Sequence, residues 1–172
     1  AVLAVNLYCT LKREFGVKCV RGKVGVITPY RNQVHEIRRQ FQASGSSLGN
    51  SWAEEVEIST VDAFQGREKD IILFSCVRAA GSRGIGFLAD VRRMNVALTR
   101  AKFALFVLGS ARALRVNPKW EELVELTRRR GALAKVAYPS CNLLTLRPVG
   151  GGSGSDGGSN SSGNSGARVA KG

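Results

Sequence analysis

Histidine and cysteine are scarce in this chain of 172 residues. One histidine, His35, and four cysteines, Cys9, Cys19, Cys76 and Cys141, show no CxxC pairing and no zinc-like spacing. Cys9 and Cys76 fall in apolar segments and read as small core residues, and the set fits a reducing compartment. No apolar run reaches ~18 residues, so no membrane span is expected. The N-terminus has no basic stretch followed by an apolar core and a small-residue cleavage site, so no secretory leader is expected. No Gly-x-x-x-x-Gly-Lys-Ser/Thr loop occurs, because Gly22-Lys23 is followed by Val24. No Asp-Glu pair occurs either, which removes the usual acidic metal-holding motif. A phosphoryl-transfer site needs a phosphate cradle, a metal holder and a positioned water as well as an arginine. A two-metal nuclease is disfavoured too, since Glu54, Glu55, Glu57, Asp62 and Glu68 are scattered rather than clustered.

What the chain does contain is enough for one folded domain. Hydrophobic residues make up 44%, sufficient for a core. The formal net charge is +13, from 26 Lys+Arg against 13 Asp+Glu. A domain this basic suits polyanion partners, although a solvated basic surface accounts for the composition equally well.

Periodicity divides the chain into alternating elements. Residues 2–15 suit an amphipathic helix stopped at Gly16, and residues 24–28 (VGVIT) a buried strand ended by Pro29. Residues 31–43 place Val34, Ile37 and Phe41 at helical spacing, and a Gly/Ser loop follows over 44–51. Residues 56–61 and 70–77 read as strands, 79–88 as a Gly-rich loop, 91–102 as a helix with Asp90 at its N-cap, and 103–109 as another buried strand. A last helix runs over 119–130, opened by Pro118 and closed by Gly131. Strands and helices alternate and several strands are apolar throughout. The expectation is a three-layer α/β domain over residues 1–146 with a mainly parallel sheet, followed by a disordered Gly/Ser-rich tail over 147–172.

Three constellations carry chemistry. On the helix 91–102, Met94, Ala97, Leu98 and Ala101 are expected to face the sheet, while Arg93 and Arg100, seven apart, share another face and together suit a phosphate. In DAFQGRE, Gly66 permits a close backbone approach, and Asp62, Gln65 and Glu68 are expected beyond the carboxyl ends of the strands, where a carboxylate suits a sugar hydroxyl. In TPYRNQ, Thr28 and Tyr30 at a strand end suit a nucleic-acid backbone and a stacked base. Each has a plain alternative: surface arginines, a turn-capping Asp62, a buried Tyr30.

The strings VGVITPYRNQ, STVDAFQGREKDIILFSCVR and RGIGFLADVRRMNVALTRAK resemble the C-terminal motor domain of superfamily-one, subgroup B helicases, of the nonsense-mediated-decay helicase and senataxin group. The likeness spans roughly residues 1–133. It implies a second RecA-like domain lacking its own phosphate loop, with ATP and Mg²⁺ bound between it and a first RecA-like domain in cis or in trans, the metal being held by that first domain. It implies Arg100 as the arginine finger, Arg93 as a second arginine near the nucleotide, and Glu68 on the ATP ribose, with Gln65 and Gly66 lining the cleft. It implies that Thr28, Pro29, Tyr30, Ser59, Thr60 and Asp62 face single-stranded RNA or DNA or couple it to ATP. A nuclear or cytoplasmic setting without a membrane follows from the same likeness.

Overall fold

The computed structural model describes residues 1–44, 52–76 and 90–136. The elements are α1 (Val2–Phe15), α2 (Val17–Val20), β1 (Val24–Thr28), α3 (Arg31–Ala43), α4 (Trp52–Glu55), β2 (Val56–Thr60), β3 (Lys69–Cys76), α5 (Val91–Leu98), β4 (Ala101–Gly109), α6 (Ala111–Leu114) and α7 (Pro118–Arg129). Among the described residues the sheet has four strands in the order β2-β1-β3-β4, all parallel. The expected α/β architecture is therefore the observed one. The Gly-rich stretch 79–88, most of the 44–51 loop and everything after 136 lie outside the described residues.

Alternation along the strands makes two cores. Val24, Val26, Val56, Ile58 and Leu73 face one side, covered by Ala4, Val5, Leu7, Tyr8 and Leu11 of α1 and by Val34, Ile37 and Phe41 of α3. Ile27, Ile72, Phe74 and Cys76 belong to the other, covered by Phe64, Met94, Ala97, Leu114, Trp120 and Val124. The Trp120 ring packs 6.0 Å from Phe74. Each fully buried apolar side chain of this kind contributes ~1.5–3 kcal/mol, so the two layers together hold the sheet rather than any helix propensity. Cys76 is buried, which pushes its thiol up to about 12. Cys9 is half-buried at the edge of the first core.

A buried carboxylate ties α1 to the sheet. Glu55 accepts from Tyr8 Oη at 2.9 Å and from Lys12 Nζ at 2.7 Å, and its carbonyl accepts from Gly22 N at 2.8 Å. Burial of the phenol, reinforced by Glu55, raises the Tyr8 pKa well above its ordinary value.

Two expectations change. The helix expected over 91–102 ends at Leu98, with Thr99 as its C-cap, and residues from Ala101 onward belong to β4. Thr99 Oγ1 donates back to Asn95 O at 2.9 Å and Val96 O at 3.2 Å, a local bond that competes with continuing the helix. Ala101 is accordingly a strand residue and not part of the helix face. The strand expected to be buried over 103–109 is longer, and it is partly exposed because it ends the described sheet.

Candidate functional site

In an all-parallel sheet, every strand begins at one rim and ends at the other. The connection from β2 to β3 touches both. Its start lies at the carboxyl rim, where Val61 N donates to Thr28 O at 3.0 Å. Thr60 Oγ1 accepts from Ala63 N at 3.2 Å and opens a turn over 61–66. Phe64 N donates to Thr60 O at 3.0 Å, and Gln65 N donates to Asp62 O at 3.3 Å. The Phe64 ring is fully buried and pins the turn to the second core. Gly66 then takes φ 78, the left-handed region that a side chain disfavours, and the chain enters β3 at Lys69.

This path corrects one placement. Asp62 does lie at the carboxyl rim, but Glu68 immediately precedes β3 and lies at the amino rim, with Gln65 and Gly66 in the turn between. A parallel sheet requires this, since the chain must return to the starting rim before each new strand.

Arg100 lies at the same amino rim. It precedes β4, Ala101 pairs with Lys69, and Lys69 N donates to Arg100 O at 3.1 Å. The guanidinium folds over the end of α5, donating from Nε to Val96 O at 2.9 Å, from Nη2 to Thr99 Oγ1 at 3.0 Å and from Nη1 to Arg67 O at 3.3 Å. A cation over helix carbonyls is favourable. All three acceptors are neutral, whereas a phosphate oxygen would offer a charged and stronger bond. Glu68 is exposed and Arg100 is partly exposed. The amino rim thus carries an exposed carboxylate at Glu68 and, at the neighbouring strand start, a guanidinium engaged by three neutral oxygens.

Arg93 is elsewhere. The expectation of one helical face shared with Arg100 fails because Arg100 lies beyond the helix. Seven residues of helix would also set the two ~10 Å apart along the axis. Arg93 Nε is 3.4 Å from Asp62 Oδ1 and 3.7 Å from Asp90 Oδ2, at the carboxyl rim. Asp90 is the expected N-cap and accepts from Arg92 N at 2.9 Å and Arg93 N at 3.4 Å.

The other carboxyl-rim residues divide by burial. Thr28 and Pro29 are buried, so the expected contact of either with nucleic acid is not available in this conformation. Thr28 Oγ1 has no hydrogen-bond partner among the described residues, although it is fully enclosed. Tyr30 is half-buried and caps the start of α3, Ser59 and Thr60 are partly exposed, and Asp62 is exposed.

Sequence reading passed over four residues that shape this rim: Gly25, Glu57, Arg67 and Lys69. The signal for Gly25 was its place inside a continuous apolar strand, where glycine marks a close approach. Among the described residues no group of three or more His, Cys, Asp or Glu could hold a metal ion. The donor set at the amino rim, one free-standing carboxylate among cations, does not suit one either. A cavity of about 600 Å³ lies between α1, β4, α6 and α7, lined by Leu3, Leu7, Phe106, Leu108, Trp120 and Leu123 among others. No helix among the described residues is long and apolar enough to cross a membrane.

A four-stranded parallel sheet with helices on both faces and its polar groups at the strand ends defines the chain as an α/β domain of the RecA-like type. A family model described as an AAA domain matches residues 1–112. The chain is 47% identical over 121 residues to Helicase sen1 of Schizosaccharomyces pombe, covering 70% of this chain and 7% of that protein. It is 46% identical over 127 residues to ATP-dependent helicase NAM7 of Saccharomyces cerevisiae, covering 74% and 13%. It is 42% identical over 132 residues to Probable helicase senataxin of Mus musculus, covering 73% and 5%. The chain belongs to this AAA domain family, as a helicase domain of the superfamily-one, subgroup B, nonsense-mediated-decay and senataxin type. It spans only 5% to 13% of the length of these three relatives.

Proposed function

We propose that this domain forms one wall of the ATP site of a helicase, the other wall being a first RecA-like domain in cis or in trans. The observation that carries the reading is the pairing of Glu68 and Arg100 on adjacent strand starts, joined through the Lys69 N to Arg100 O bond of 3.1 Å, with both side chains reaching the surface. Arg100 acts as the arginine finger: it leaves its neutral acceptors for the γ-phosphate and stabilises the charge that develops there. Glu68 accepts from a ribose hydroxyl, and Gln65 and Gly66 line the same cleft. Mg²⁺, held by the companion domain, would neutralise phosphate charge. At the carboxyl rim, Tyr30, Ser59, Thr60 and Asp62 form part of the track for single-stranded RNA or DNA, with Thr28 and Pro29 shaping it from beneath. Arg93 belongs to that side through its ion pair with Asp62.

Alone, the chain acts as a nucleic-acid-binding piece without turnover. The observations favouring this are its net charge of +13 and the missing phosphate loop. Once joined to a first RecA-like domain, Arg100→Ala should lower ATP turnover by ~10³–10⁵ while ATP binding survives. Glu68→Gln should raise the ATP KM more than it lowers kcat. Phosphate release and nucleotide affinity measured on the joined protein check both. Near-normal hydrolysis by the Arg100 variant refutes the reading.

A further inference from the structure

We propose that Glu57, reached across Gly25, is the positioning residue that sets Glu68 and Arg100 at the amino rim. The functional half of this inference rests on the nucleotide reading above; the geometric half does not.

The sheet order puts β1 between β2 and β3. A side chain from the start of β3 must therefore cross β1 to reach β2, a span of ~10 Å at ordinary strand spacing. Any side chain at the crossing point would stand in the way. The residue there is Gly25, which pairs with Glu57 on one side and Ile72 on the other. A Cβ added to Gly25 would lie 3.2 Å from Lys69 Cγ, 3.2 Å from Phe64 Cζ and 2.9 Å from Ile72 Cδ1. The space left by the missing side chain is filled by the Lys69 stem and by the ring that anchors the turn.

Through this gap Lys69 Nζ comes within 3.5 Å of Glu57 Oε2 and donates to Gly22 O at 2.9 Å. Arg67 reaches the same carboxylate, pairing its Nη1 with Glu57 Oε1, while its Nη2 donates to Ala63 O. Its guanidinium also stacks 5.4 Å over the Phe64 ring. Both neighbours of Glu68 are thus fastened to one acidic side chain two strands away. The same two neighbours hold Arg100: Arg67 O accepts from its Nη1, and Lys69 N donates to its carbonyl. Glu57 touches neither proposed nucleotide residue. It fixes the backbone that carries one and grips the other, so that neither must be ordered when a nucleotide arrives.

The test has two arms. In the chain alone, amide hydrogen exchange is followed at Lys69, with Ile72 and Leu73 as core references. Glu57→Gln is expected to speed exchange at Lys69 by about tenfold while the core amides stay protected. Lys69→Met, which keeps the apolar stem over Gly25 and removes the ammonium, should act in the same direction and serves if the Glu57 variant folds poorly. In the protein joined to a first RecA-like domain, Glu57→Gln should raise the ATP KM severalfold with kcat changed less than twofold, and added salt should narrow the gap to wild type, since screening weakens the wild-type pairs alone. Unchanged Lys69 exchange in both variants overturns the proposal. Faster exchange with an unmoved KM, in a protein where Arg100→Ala and Glu68→Gln do impair ATP use, overturns the positioning role. If those two variants are themselves silent, the nucleotide reading fails and takes the positioning role with it.

Discussion

Both rims of the sheet carry surface ion pairs, at the carboxyl rim between Arg93 and Asp62 and Asp90, but they differ in what lies beneath. At the amino rim, Glu57, Arg67, Lys69 and Arg100 are linked by ion pairs and backbone bonds at a surface that solvent reaches. At the carboxyl rim, Thr28 and Pro29 are enclosed, and the Thr28 hydroxyl is left without a partner among the described residues. One rim is wired before any ligand arrives. The other retains an unmet bonding need inside the fold, which is the kind of feature a rearrangement can satisfy. On the proposed function, the difference suits a preorganised edge for the nucleotide and an adjustable one for the nucleic acid.

That contrast can be broken most forcefully at the residue joining the rims. Phe64 is fully buried between them, so Phe64→Ala should cost about 3–5 kcal/mol of stability, read from chemical denaturation. A loss below ~1 kcal/mol would mean that the turn is not held by its ring. Thr28→Val sharpens the comparison from the other side. Replacing an unsatisfied hydroxyl by an isosteric methyl should stabilise the fold by about 1 kcal/mol, and it should weaken single-strand binding if the hydroxyl is used there. A destabilised variant would show that the hydroxyl has a partner in solution.

The smallest effect falls away from both rims, on α3. The Arg39 guanidinium, helped by Gln40, holds the Glu36 carboxyl down to about 2 against an ordinary 4.5. Because the folded value is depressed, its contribution is present above the ordinary range and disappears as pH falls from about 4.5 towards about 2. The group is exposed, so the effect on stability is slight. A carboxyl titration by NMR should show the low midpoint, and Arg39→Ala should move it back up.

Much of this architecture was legible from residue pattern. The apolar run at 24–28 is β1, the run read at 70–77 falls on β3 (Lys69–Cys76), and the Asp90 cap and the stop at Gly16 mark helix ends, because each rests on local chemistry. The four-residue helices α2, α4 and α6 were missed, since one turn carries no periodicity. The end of α5 is earlier than periodicity implies because the run ALTRAKFALF is apolar at both helical and strand spacing; in the structure Thr99 caps the helix and bonds back to Asn95 O. For the site, the string FQGRE implied the carboxyl rim for Glu68, whereas Glu68 lies at the amino rim, just before β3. Its position just before an apolar strand already implied the amino rim in any parallel sheet. The separation of Arg93 from Arg100 followed from the helix end. The Glu57 link required knowing that β1 lies between β2 and β3, which no local pattern encodes.

The crossover from Thr60 to Lys69 has one more consequence. Parallel connections commonly take a dozen or more residues, yet this one passes over β1 in eight, pinned midway by Phe64. Such a tether has no slack to take up. On the proposed reading, a pull on Asp62 is passed on to Glu68, and lengthening the span by even a few glycines should let the two ends of the domain go deaf to each other.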